Sequence, residues 1–195
     1  MQRTNKFIVR KANSSDVEKI CLLHINTFDS KHFTIHLPIP VLKDYIAELI
    51  KHNDYSYVVL SNKDRLLGYI IAGNSTDLAL KIIFSKHKFR ILLTILKRPS
   101  FLFEKITDFF NLYFGENKKL NKKTLLYLIA VDNCKRREGI GEVLVKQFEK
   151  DLKKDNETSY RIFVRKDNPA IRFYKKLNYQ IITEDKKVIG FIREF

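Results

Sequence analysis

The order of strand-like and helix-like segments along the chain predicts a mixed α/β (α+β) domain, and three observations carry that expectation. A continuous apolar run, Thr124 to Val131, is followed within ten residues by Gly139-Ile140-Gly141 and the amphipathic series Val143, Leu144, Phe148 and Leu152, a strand feeding a helix. Two β-prone runs, Tyr55 to Leu60 and Leu66 to Ala72, flank the polar segment Ser-Asn-Lys-Asp-Arg, which reads as an antiparallel hairpin. Finally, 45% apolar and 12% aromatic residues in a chain of 195 supply a core of the size one domain needs and argue against disorder.

Taken in order, Phe7-Ile8-Val9 reads as a short strand, and Asn13-Ser14-Ser15-Asp16 offers N-caps for a helix carrying Val17, Ile20, Leu23 and His24 as far as Phe28. Asp29 to Pro40, with two prolines and two histidines, reads as a loop before a second helix over Val41 to Lys51. The hairpin follows. Leu78 to Phe114 suggests two helices joined at Arg98-Pro99-Ser100. After the strand at Thr124 to Val131 and its helix, Tyr160 to Val164 is a strand, Asn168-Pro169 opens a helix to Leu177, and Tyr179 to Thr183 and Val188 to Phe191 are two closing strands.

Charge adds a local feature. Lys and Arg number 37 against 22 Asp and Glu, a formal net charge of +15, and Lys81 to Lys123 holds eleven of the cations with three acids. Such a surface attracts polyanions, yet it serves solubility equally well. Cys21 and Cys134 stand far apart with no CxxC pair, so neither a disulfide framework nor a structural metal site is expected. With no apolar stretch of membrane-span length and no signal-peptide pattern at the start, a cytoplasmic protein is expected.

The segment richest in chemistry is Val131-Asp132-Asn133-Cys134-Lys135-Arg136-Arg137-Glu138-Gly139-Ile140-Gly141. Glycines between a buried strand and a helix let the backbone approach a ligand, and the free N–H groups of the first helical turn suit a phosphate. Neither the Walker pattern nor the dinucleotide fingerprint is present. Arg136, Gly139 and Gly141, after a strand ending at Val131, resemble the [RQ]xxGx[GA] turn of the GCN5-related N-acetyltransferases (GNAT family). Asn168, Ala170, Phe173 and Tyr174, followed by Leu177-Asn178-Tyr179, are similar to that family's second signature, with Asn178 where Gly is usual.

The resemblance implies the GNAT fold, a mixed and mostly antiparallel central sheet flanked by helices, over a single domain 1–195 with a basic, aromatic helical insertion at about 78–123. It implies acetyl-CoA as acyl donor, without a metal, and direct attack by an amine on the thioester. Backbone groups of Ile129, Ala130 and Val131 would pair with the pantetheine arm, and those of Arg137, Glu138, Gly139, Ile140 and Gly141, with Arg136, would hold the pyrophosphate. Asn168 would assist, and Tyr174 would protonate the leaving thiolate. Glu138 and Glu142 place carboxylates beside the expected phosphates. The general base is open among Asp132, Tyr127, His24, His32, His36 and water.

The expected acceptor is a small-molecule primary amine, for example an amino sugar or a nucleotide-linked amino sugar. A protein N-terminal or lysine acetyltransferase and a non-catalytic CoA-binding module are the alternatives. No nucleic-acid partner is expected; the insertion suggests contact with a membrane surface as a further reading, and the exposed C-terminal strands are compatible with a homodimer.

Overall fold

The computed structural model describes residues 7–97 and 124–195. β1 (Ile8–Lys11) leads into a turn whose polar side chains set the direction of the first helix. Asn13 accepts the Ser15 N–H at 2.9 Å while Asp16 accepts the Asn13 N–H at 3.0 Å, a reciprocal capping box. Asp16 is buried, and burial alone would raise its pKa; the Arg10 guanidinium at 2.6 and 2.8 Å and the Asn13 N–H hold it below the usual carboxylate range. α1 (Val17–Thr27) and α2 (Ile39–His52) then pack side by side, joined by a loop with one 3-10 turn at Phe33–His36.

The hairpin forms as β2 (Tyr55–Leu60) and β3 (Leu66–Gly73), and β4 (Thr124–Val131) adds to it in antiparallel register. α4 (Ile140–Lys154), β5 (Ser159–Arg165), α5 (Ile171–Lys176), β6 (Gln180–Glu184) and β7 (Val188–Glu194) complete the described chain, with α3 as Thr76–Lys97. One seven-stranded sheet runs β1-β2-β3-β4-β5-β7-β6. Every neighbouring pair is antiparallel except β4 with β5. The α5 helix is shorter than the sequence suggests, because Asn168 and Pro169 form a turn before it.

Alternation along the strands sends side chains to two cores. Val58, Leu60, Tyr69, Ile71, Tyr127 and Ala130 face α1, α2 and α3, while Tyr57, Val59, Ile70, Leu126, Tyr160 and Ile162 face α4 and α5. Gly68 lets α4 settle on the sheet: a Cβ there would lie 2.9 Å from the Ala130 carbonyl oxygen and 3.0 Å from Ile140 Cγ2. Tyr57 and Tyr55 donate to Asp151 and Asp155 at 2.6 Å each, fastening β2 to the far end of α4.

α3 departs from expectation within the described residues. Its helical geometry is interrupted at His87 (φ −119°, ψ 22°), where Asp44 on α2 receives the imidazole at 2.8 Å and Lys86 at 2.7 Å. The expected joint at Arg98-Pro99-Ser100, and most of the expected insertion, lie outside the described residues. Among the described residues no helix is long and apolar enough to cross a membrane.

Candidate active site

The site begins where the sheet comes apart. β4 and β5 pair only at Thr124 with Tyr160 and Leu125 with Arg161, so from Leu126 onward the two parallel strands diverge and β4 has a partner on one side alone. Asp132 donates its N–H to the Leu67 carbonyl at 2.9 Å, which fixes the alternation of the ladder. Ala130, two residues back, also turns its backbone polar groups to β3, whereas Ile129 and Val131 turn theirs to the open side. Of the three residues expected to offer backbone hydrogen bonds, Ala130 is therefore engaged in the sheet, and Ile129 and Val131 face the cleft.

At the end of β4 the chain turns through a short 3-10 segment, Asn133–Lys135, capped by the Asp132 carboxylate accepting the Cys134 N–H at 2.9 Å. That bond and the Arg65 guanidinium at 2.6 Å hold Asp132 below the usual carboxylate range. Arg137 (φ +66°) and Gly139 (φ +85°) then take left-handed backbone conformations on either side of Glu138. A Cβ on Gly139 would meet nothing within 4 Å, so the space in front of the turn is open, while the positive φ still selects glycine. The bond from Val143 N–H to the Gly139 carbonyl at 3.0 Å belongs to the first turn of α4, leaving the preceding N–H groups outside the helical ladder. The positive dipole end of α4 and the open space in front of the turn make a cradle suited to an anion.

The two carboxylates of this turn are neutralised in place. Glu138 pairs with Lys135 at 3.0 Å and Glu142 with Lys146 at 2.8 Å, while the side chains of Arg136 and Arg137 are exposed. Gly141 packs closely: its Cβ would touch the Phe173 ring at 3.4 Å and Val131 at 3.8 Å. Through Phe173 the cradle is thus seated against α5.

On α5, Tyr174 is 2% exposed, its ring edge-on to Phe173 and Tyr179 and tilted against Phe191. It lies in the aromatic core one residue from the side chain that supports the cradle. Asn168 accepts the Ala170 N–H at 2.9 Å, an Asx turn that starts α5. The residue borders an open hollow of about 440 Å³ lined also by Lys166, Pro169 and Arg172. Asn178 adopts φ +60°, the left-handed conformation for which a glycine is the usual choice.

The α1–α2 loop bridges the mouth of the cleft. Asn133, past the end of β4, donates to the Asn26 carbonyl at 2.9 Å. At the end of β5, Arg165 donates to the Lys31 carbonyl at 3.2 Å, and Lys31 pairs with Asp167 at 2.6 Å. Arg165 and Lys31 together hold the Asp167 carboxyl down to about 2. Behind the loop a hydrogen-bonded chain runs from Tyr69 hydroxyl on β3 to His24 Nδ1 on α1 (2.6 Å), from His24 Nε2 to the loop's Thr34 hydroxyl (2.6 Å), and from Thr34 to His32 Nδ1 (2.7 Å). Burial pushes His24 well below the ordinary imidazole value and His32 down to about 4, so both are neutral near pH 7.

The other base candidates are occupied as well. The Tyr127 hydroxyl meets that of Tyr45 at 2.6 Å in the core, and His36 meets the Ser30 carbonyl at 2.7 Å. The sequence reading missed Thr34, Gly68 and Arg65, whose roles depend on partners distant along the chain; for Gly68, a lone glycine inside a continuous apolar strand was the available signal.

Residues 117–188 match the family model described as FR47-like protein. A search of curated protein sequences gives no match. Among solved structures, an agmatine N-acetyltransferase, a point mutant in its apo form, superimposes with a TM-score of 0.66 at 13% identity, covering 98% of this chain and 100% of its own. The Drosophila melanogaster polyamine N-acetyltransferase gives 0.64 at 12% identity over 97% and 100%. The PaiA N-acetyltransferase from Thermoplasma acidophilum, solved in complex with coenzyme A, gives 0.65 at 14% identity over 97% and 99%. The FR47-like match spans the same strand, glycine turn and helix that build the cradle, and the chain superimposes over nearly its full length on these N-acetyltransferases, whose fold it shares.

Proposed function

We propose that the chain is an acetyl-CoA-dependent N-acetyltransferase acting on a primary amine of a small molecule, with residues 1–195 working as one domain. The observation that carries this reading is the divergence of β4 from β5 directly ahead of the glycine cradle. An extended thioester arm suits an unpaired strand edge and a pyrophosphate suits a glycine turn at a helix start, so an unpaired edge running into such a turn supports the reading. Ile129 and Val131 would bond the pantetheine amides, and the N–H groups of Arg137 to Gly141 would receive the pyrophosphate, with Arg136 adding charge from the surface.

The acceptor amine attacks the thioester carbonyl, a C–N bond forms as the C–S bond breaks, and the sulfur leaves as thiolate. Tyr174 is our choice of general acid, its phenol and the thiol being acids of comparable strength. Asn168 holds the start of α5 and, through it, the position of Tyr174. With His24, His32 and Asp132 all engaged, the amine's proton leaves through water.

For the acceptor, an agmatine and a polyamine N-acetyltransferase superimpose with TM-scores of 0.66 and 0.64, above the 0.57 of a ribosomal-protein alanine N-acetyltransferase, which favours small amines over protein substrates. The +15 charge of this chain repels polycations and favours an amine with an anionic portion, such as a nucleotide-linked amino sugar. Titration with acetyl-CoA and thiol release across a panel of amines tests the reading; absence of acetyl-CoA binding would refute it.

A further inference from the structure

Among the described residues one Lys or Arg is buried, and no ion pair serves it there. Arg161 on β5 is 7% exposed, and its Nε and Nη1 are buried with no hydrogen-bond partner among the described residues. The guanidinium stands 5.9 Å from the Phe163 ring centroid, a contact that contributes little beside the cost of burying an unpaired charge. Burial lowers its pKa, favouring loss of the proton. A guanidinium does not deprotonate readily in proteins, so the charge and its unsatisfied N–H groups persist.

Its place in the sheet gives the position a meaning. Arg161 pairs with Leu125, the last residue of β4 before the strands diverge, and with Ile192 on β7. Tyr160, Ile162 and Val164 point to the α4 and α5 core, so Arg161, Phe163 and Arg165 point to the opposite face. That is the face bridged by the α1–α2 loop, since Arg165 bonds the Lys31 carbonyl. Arg161 thus lies at the closed end of the cleft, Phe163 midway, and Arg165 at the mouth, about 13 Å from first to last at the strand rise.

We propose that Arg161 is the binding site for an oxyanion, a carboxylate or a phosphate, carried by the amine substrate. The anion supplies the acceptors that Nε and Nη1 lack, and the charge-assisted bonds form in a desolvated pocket where they are strongest. The site rejects a second ammonium and so selects amines with one anionic end. This inference rests on the acetyltransferase reading for the identity of the ligand, but the anion site itself is testable without it.

The test uses the full chain and two probes, inorganic phosphate and succinate, at constant ionic strength. Each is titrated against thermal unfolding for wild type, Arg161→Met and, should that variant fail to fold, Arg161→Gln. The inference predicts that the variant melts higher than wild type without added anion, by about 2–4 °C, because an unpaired buried charge is gone. It also predicts saturable stabilisation of wild type by phosphate, succinate or both, absent in the variant; the probe that acts tells phosphate from carboxylate chemistry. A variant that melts lower, or equal responses in both proteins, would overturn the proposal. Acetyl-CoA binding, measured in parallel by calorimetry, should be the same in both proteins; its absence in both would refute the acetyltransferase reading and leave the anion result to stand by itself.

Discussion

Acidification from about pH 7.5 to about pH 5.5 isolates two imidazoles, His24 of α1 and His32 of the α1–α2 loop. His24 is buried between Tyr69 and Thr34, and His32 is held by the same threonine. Both are neutral in the folded chain, His24 well below its ordinary value and His32 at about 4. The unfolded chain titrates them near 6.5, so below that pH the unfolded state binds more protons and stability falls. At pH 5.5 each histidine removes about 1.4 kcal/mol, and the pair about 3 kcal/mol, a large share of ordinary domain stability. The paired carboxylates act in the same direction but in a lower window, below about pH 5, because their unfolded values lie near 4. Urea unfolding followed by circular dichroism at a series of pH values reads the slope directly. The double variant His24→Gln, His32→Gln should be less stable at pH 7.5 and should lose most of the slope between pH 7 and 5.5. A wild-type stability that stays flat across this range, or a double variant with an unchanged slope, would refute the buried neutral pair.

Gly139→Glu should abolish acetyl-CoA binding by calorimetry while leaving the circular dichroism spectrum intact, since the Cβ enters open space but a carboxylate then fills the cradle. Tyr174→Phe should lower kcat more than tenfold with little change in CoA affinity, because the ring packing survives and the hydroxyl is lost. Gly68→Val should destabilise the chain by about 1–3 kcal/mol in urea unfolding, the new side chain meeting the Ala130 carbonyl and Ile140. Asp16→Ala should cost about 2–3 kcal/mol, losing the cap and leaving Arg10 without its partner.

The elements closest to the proposed chemistry were legible because their signals are local. A β-branched apolar strand, a glycine pair and an amphipathic helix follow one another within about thirty residues, and the same residues form β4, the cradle and α4. Asn178 stands where the resembled family usually has Gly, and its backbone is left-handed, a conformation asparagine tolerates better than most residues. The divergence of β4 from β5 was not, because parallel pairing joins segments with a helix between them and leaves no local trace. The chain Tyr69–His24–Thr34–His32 spans three elements, so the histidines looked interchangeable in sequence while the fold gives each a distinct neighbour. The kink at His87 escaped because no glycine or proline marks it, and the Asp44 that meets its imidazole lies on another helix. Arg161 reads as an ordinary outward residue of an alternating strand, and only the packing of both sheet faces reveals it as buried.

The most direct test of the central claim is calorimetric titration of the purified chain with acetyl-CoA, followed by thiol release in the presence of candidate amines. Saturable binding that is lost in Gly139→Glu, with thiol released on addition of an amine that carries an anionic group, is the predicted result. Failure of the wild-type chain to bind acetyl-CoA would contradict the reading of Ile129 to Gly141 as its site.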